Sequence, residues 1–327
     1  MRPFGYSRHD KLNDAMRAAM RQRGSAYLAG GTSLVDLMKL GVESPETLVD
    51  IAHVPLTQID ANDSGASIGA LVRNSDLAYH PAIRERYPVL SQAILSGASP
   101  QLRNMATLGG NLMQRPRCAY FRDNHSPCNK RAPGSGCAAL AGDHRMHALL
   151  GTSDSCIATH PSDLCVALAV LDPVVHVQAA KDHKTIPFAQ FHREPGTDPT
   201  RETILKPGEF ILGVDLPWLP FFRKSCYVKA RDRASYEFAL ASAAVVLDIH
   251  NGRIATARVA LGGVATRPWR STEAERALIG SGATPSVYRA AADAAMRAAR
   301  PREHNSFKIE LCRRVIVRAL ETAAALS

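Results

Sequence analysis

The sequence predicts an α+β fold in two or three packed subdomains. At 327 residues the chain is too long for one small core. Strand-like and helix-like runs mix up to a boundary near Pro217–Phe222, after which a sheet is followed by Ala-rich helices. Between the two, from Arg115 to about His147, hydrophobic periodicity disappears into Pro, Gly, Cys, Arg and Asn. Loops beyond ~15 residues in a compact domain usually have a functional reason.

Leu12, Ala15, Met16, Ala19 and Met20 recur at helical spacing. Ser25–Ala29 reads as a strand, and Thr32 and Ser33 are placed to cap a helix from Leu34 to Leu40, stopped by Gly41. Thr47–Ile51 and Ser67–Ala70 read as strands. Asn74-Ser75-Asp76 starts one helix, and Pro81 starts another that runs towards Gly97. After the aperiodic stretch, Ser162 or Asp163 caps a helix to Leu171, and Val174–Ala179 and Glu209–Leu216 are strands. Tyr227–Ala230, Leu240–Ile249 and Arg253–Leu261 follow, the last two joined by the hairpin signal Asn251-Gly252. Helices around Thr272–Ile279, Ser286–Ala299 and Phe307–Ala325 finish the chain.

Composition narrows the function. No run of 18 apolar residues exists, so no membrane partner is expected. Met1-Arg2-Pro3-Phe4-Gly5-Tyr6-Ser7 lacks the apolar core of a signal peptide, so any export is expected to depend on another chain. The net charge of +10 invites a nucleic-acid reading, but the Arg residues are dispersed and no nucleic-acid motif accompanies them. Basic charge around an anionic cofactor, or facing acidic partner subunits, explains it better. No nucleophile–base pair or G-x-S-x-G elbow supports hydrolysis.

Two glycine turns carry chemistry. Ala29-Gly30-Gly31-Thr32-Ser33-Leu34 ends a strand and opens a helix, and Thr107-Leu108-Gly109-Gly110-Asn111-Leu112 is the second. Such turns bring backbone N–H groups and a helix dipole to one point, where a diphosphate fits and any Cβ would obstruct. Ser162-Asp163 opens a third helix. Three anion-friendly termini within 140 residues suggest convergence on one extended ligand. Gly134-Ser135-Gly136-Cys137-Ala138-Ala139 matches a dinucleotide fingerprint, but no strand precedes it, so it is set aside.

Four of the seven cysteines follow the pattern Cys118-x9-Cys128-x8-Cys137-x18-Cys156. The close pairs of zinc ribbons are absent, and ferredoxin runs are denser. Spacing alone leaves an iron–sulfur cluster, zinc and unligated thiols open. Arg117, Arg122 and Arg131 are expected to stabilise an anionic cluster. Cys165, Cys226 and Cys312 sit among apolar neighbours and read as core; His125, His144 and His147 read as solvated loop residues first and ligands second.

At these residues the chain resembles the FAD-binding subunits of the molybdenum hydroxylases, the xanthine dehydrogenase family. Tyr27-Leu28-Ala29-Gly30-Gly31-Thr32-Ser33-Leu34 looks like the family's first flavin loop, and Thr107, Gly109, Gly110 and Asn111 fall in its second. Ser162 and Asp163 match a turn that binds the ribityl and diphosphate region. Gly208–Pro217, with Leu212, matches a strand beside the flavin, and Lys229 stands where the family has a flavin-contacting Lys. Most members pass directly from the second glycine turn to the Ser-Asp turn. The insertion here, of about 40 residues, is similar to that of the three-subunit periplasmic aldehyde oxidoreductases, which carry a [4Fe-4S] cluster there. The resemblance carries Cys118, Cys128, Cys137 and Cys156 over as its ligands.

It implies a vanillyl-alcohol-oxidase (PCMH)-type FAD domain over 1–218, in subdomains of about 1–52 and 53–218, with the cluster insertion at about 115–156. A C-terminal domain of the CO dehydrogenase flavoprotein type follows over 219–327. It also implies two partners: a molybdenum-cofactor subunit that oxidises an aldehyde to a carboxylate, and a [2Fe-2S] ferredoxin-like subunit that relays electrons to the FAD. No residue of this chain is then catalytic on the aldehyde. The expected location is the periplasm, reached with a signal-bearing partner, with the cytoplasm as the alternative. A self-sufficient flavin oxidase and a zinc-stapled nucleic-acid-binding protein are the rival readings.

Overall fold

The computed structural model describes residues 1–180 and 182–326. Three parallel strands come first, in the order Gly5–Arg8, Thr47–Asp50, Ser25–Leu28. The helix Leu12–Arg21 buries Ala15 and Met16 against Val49, Ile51 and Phe210. A five-stranded antiparallel sheet follows, ordered Ile59–Asn62, Gly65–Gly69, Phe210–Pro217, Val174–Gln178, His183–Pro187. Against it pack the helices Pro88–Ser96 and Asp163–Leu171. The latter is buried at every residue, which is why it reads as an unbroken apolar run.

The C-terminal sheet is antiparallel, ordered Trp269–Arg270, Arg253–Gly262, Ala241–His250, Ser225–Ala230. Asn251 and Gly252 have φ of 49° and 73°, the double left-handed geometry expected of this hairpin. The helices Thr272–Leu278, Pro285–Met296 and Phe307–Ala324 bury their Ala-rich faces on this sheet. The fold is α+β in two parts. Among the described residues no helix is long and apolar enough to cross a membrane.

Some expectations need correction. The helix from Pro81 ends at Arg86, and a new one starts at Pro88, because Tyr87 leaves helical geometry (φ −130°, ψ 56°) ahead of the proline ring. Gly5–Arg8, Ile59–Asn62 and His183–Pro187 are strands that the sequence reading omitted; all three lie at sheet edges and bury few side chains. Ser33 caps its helix only by position, since its hydroxyl makes no capping bond.

Candidate functional site

The first glycine turn leaves the strand Ser25–Leu28 and enters the helix Leu34–Lys39, so the unpaired N–H groups of the first helical turn face outward at one spot. Gly31 holds φ +72°. Gly30 lies so close to the second loop that a Cβ there would stand 1.8 Å from the Met105 carbonyl oxygen. The second turn docks on the sheet's connecting loop: Leu108 N–H donates to the Val72 carbonyl at 2.9 Å and Gly109 N–H to that of Ala70 at 2.8 Å. Thr107 Oγ1 accepts from Gly110 N–H at 3.2 Å and caps the short helix Leu108–Leu112.

The third terminus closes the set. Ser162 Oγ accepts from Cys165 N–H at 3.0 Å as the helix cap, and donates to Asn111 Oδ1 at 2.6 Å. Asp163 is buried and receives Tyr227 Oη at 2.5 Å and Lys229 Nζ at 2.8 Å. Lys229 also donates to the Ser96 carbonyl at 3.1 Å. Burial and the neighbouring Asp163 push the Tyr227 phenol well above its ordinary pKa.

Between these elements runs a groove of about 480 Å³, in the size range of cofactor sites. Of the expected residues, Thr32, Ser33, Gly110, Asn111, Asp163 and Lys229 line it. Tyr27, Leu28, Ala29, Gly30, Gly31 and Leu34 do not line it, and Thr107 and Gly109, also off its walls, fix the second loop. Leu212 packs on the first core with Tyr27 and does not line the groove. A second cavity, of about 270 Å³, shares Arg117, Pro161, Asp163, Glu237 and Phe238 with the groove and so adjoins it. Asn74, with a buried and unpartnered Oδ1, also lines the groove. Asn74, Glu237, Phe238 and Tyr227 were missed from sequence as site residues. Tyr227 alone carried a signal, standing two residues before Lys229 on the same strand face.

The insertion brings Cys118, Cys128, Cys137 and Cys156 onto one small cavity. Cys128 and Cys137 face each other in an isolated antiparallel bridge. Among the described residues, no three of these four sulfurs lie within 4.8 Å of one another. That is wider than the tetrahedral edge of roughly 3.8 Å set by zinc–sulfur bonds of about 2.3 Å. Burial pushes the Cys118 thiol up to about 12 and raises that of Cys156.

Side chains, not regular structure, hold this loop. Arg131 donates to the carbonyls of Tyr120 (3.0 Å), Phe121 (2.7 Å) and Ser126. Arg117 (2.9 Å) and Arg122 bind Asp36, tying the insertion to the helix Leu34–Lys39. The three arginines are therefore engaged with protein groups. The cation placed beside the thiols is Lys130, buried and paired with Glu202 at 3.1 Å, and its charge offsets part of the rise that burial gives the Cys156 thiol. His125 is exposed as expected, while His144 and His147 are buried. Cys165, Cys226 and Cys312 are core residues.

Beside the pocket, His160, Cys165 and His192 bring ligand atoms within 4.8 Å of one another. His160 Nδ1 accepts from Ser162 N–H at 3.3 Å, which places the proton of the neutral ring on Nε2. The trio is a buried neutral cluster, with the pKa of His192 pushed down to about 4 by burial. Gly134 and Gly136 occupy an open turn with positive φ, between no strand and helix.

Residues 2–219 match the family described as "FAD binding domain in molybdopterin dehydrogenase", and 225–323 match "CO dehydrogenase flavoprotein C-terminal domain". The chain belongs to the FAD-binding subunits of the molybdopterin dehydrogenases. It is 48% identical over 327 residues, 99% of each chain, to the aldehyde oxidoreductase FAD-binding subunit PaoB of Escherichia coli. It is 26% identical to the glyceraldehyde dehydrogenase medium chain of Sulfolobus acidocaldarius, covering 85% of this chain and 81% of that one. Carbon monoxide dehydrogenase from Hydrogenophaga pseudoflava has a chain of the same fold: TM-score 0.78, 26% identity, covering 100% of this chain and 99% of that one. The chain is thus a flavoprotein subunit of an oxidoreductase with an FAD-binding domain.

Proposed function

We propose that this chain is the FAD- and [4Fe-4S]-carrying electron-transfer subunit of a molybdenum-containing aldehyde oxidoreductase. The aldehyde reading rests on the 48% identity, end to end, with a subunit of that name. The cluster reading rests on one observation above others: four cysteines meet in one closed pocket, too widely spaced for a single tetrahedral zinc. Cys118 lines both that pocket and the cavity that adjoins the flavin groove.

When bound, the flavin would accept electrons singly from a one-electron centre such as an iron–sulfur cluster and store them as a pair. The chain's own residues bind and position. The first helical turn after Gly31 offers backbone N–H groups to the diphosphate. Asn111 and Ser162 hold two of the loops together, and Tyr227 and Lys229 tie the C-terminal domain to Asp163. Arg117 and Phe238, 5.2 Å apart as a cation–π pair, form the wall shared by the two cavities.

A molybdenum-cofactor subunit would oxidise the aldehyde, and a [2Fe-2S] subunit would deliver the electrons, in a complex located in the periplasm. The isolated chain is then expected to bind FAD and fail to oxidise aldehydes, while the assembled complex turns over. Aldehyde oxidation by the purified single chain contradicts this division. Fractionation of the native host that finds the complex in the cytoplasm contradicts the location.

A further inference from the structure

His147 is a loop histidine that the fold buries against the four-thiol pocket. Its Nε2 lies 3.1 Å from Cys118 Sγ. The ring is placed from outside the insertion: the His147 carbonyl accepts from Lys308 Nζ at 3.0 Å and from Asn305 Nδ2 at 3.4 Å. Lys308, fully buried at the start of the last helix, also donates to the carbonyls of Met146 and Gly263. The C-terminal domain therefore fixes where this imidazole stands. With Cys118 it lines the cavity that adjoins the flavin groove.

We propose that His147 is a positioning residue for the cluster, donating its Nε2–H to the Cys118 sulfur and so raising the cluster's reduction potential. The inference rests on the reading that the four cysteines hold an iron–sulfur cluster. A ligating cysteine is a thiolate and has no proton to give, so the hydrogen in a 3.1 Å contact comes from the imidazole. Hydrogen bonds to cluster sulfurs tune the potential, and a donor favours the more negative, reduced state. The four thiols already supply a complete ligand set, which leaves His147 outside the metal's own bonds.

The test uses the assembled complex, wild type and with His147→Phe, His147→Leu or His147→Gln. Anaerobic redox titration is followed by the electron paramagnetic resonance of the reduced cluster, with iron counted in each sample. The Phe and Leu variants are expected to keep their iron and lose about tenfold in preference for the reduced state, a downward shift of about 59 mV for one electron. Gln keeps an N–H donor and should recover at least half of the shift. An unchanged potential in an iron-replete Phe or Leu variant overturns the proposal. Iron loss in all three variants also overturns it, making His147 a ligand or a prop of the fold. A wild-type complex without iron is a different failure, that of the cluster reading itself, and shows before any variant is made.

Discussion

The flavin groove takes its walls from segments that have a structure of their own: helix starts at Leu34, Leu108 and Asp163, and the strand Ser225–Ala230. Behind those walls lies the large core around the helices Pro88–Ser96 and Asp163–Leu171. The four-thiol pocket next to it has almost none of this. Its apolar cluster amounts to Leu37, Phe121 and Cys128, and its loop is tied by Arg131, Asn129 and Lys130 to backbone carbonyls. The groove is a shape set by regular elements and the core behind them. The pocket gathers four thiols, two buried and two half-buried, and the cluster we propose there would complete their local core.

Breaking each region should therefore have different consequences. The largest effect is expected from Cys128→Ser. Iron is lost, residues 115–156 become sensitive to protease, and FAD content stays near that of the wild type; full iron content in this variant excludes Cys128 as a ligand. Next comes Asp163→Ala, which strands the buried Lys229 ammonium (3% side-chain exposure) without its carboxylate. Removing one member of a buried pair typically costs about 3–5 kcal/mol. Urea unfolding should show that loss together with weaker FAD binding and intact iron. Wild-type stability in Asp163→Ala contradicts the pairing.

Acid sharpens the comparison on the ground between the two regions, where His160 and His192 are buried neutral. His192 is held at about 4 when folded against an ordinary 6.5. Between these values the unfolded chain binds more protons, so stability is full above about pH 6.5 and falls as pH drops towards 4. The His192 share is on the order of 3 kcal/mol. Thermal melts from pH 7.5 to 4.5 should fall more steeply in wild type than in His192→Phe; parallel curves contradict this. The smallest effect is Ser162→Ala, which removes a helix cap and the Asn111 link at a cost of about 1 kcal/mol, read by melting and FAD titration.

The same contrast explains what could be read from the sequence. Glycine turns, the Asn251-Gly252 hairpin and the Ser162 cap are local devices, each legible within a few residues, and each stands where its residue types require. Edge strands such as His183–Pro187 escaped because only Ile186 is buried and no alternation marks them. Long-range pairings carried no local signal. Nothing around Asp163 announces Lys229 and Tyr227, more than 60 residues on, and nothing around Arg131 shows that its guanidinium serves carbonyls and not a cluster. His147 read as a solvated loop residue because the helix that buries it lies some 160 residues later.

The measurement that bears most directly on the account is a visible spectrum with iron and flavin counts on the complex, prepared anaerobically. One FAD and about four irons for this chain, beyond those of its partners, and a broad absorption beneath the flavin bands are the predicted result. A preparation whose flavin subunit holds FAD but no iron, or zinc in its place, would contradict it.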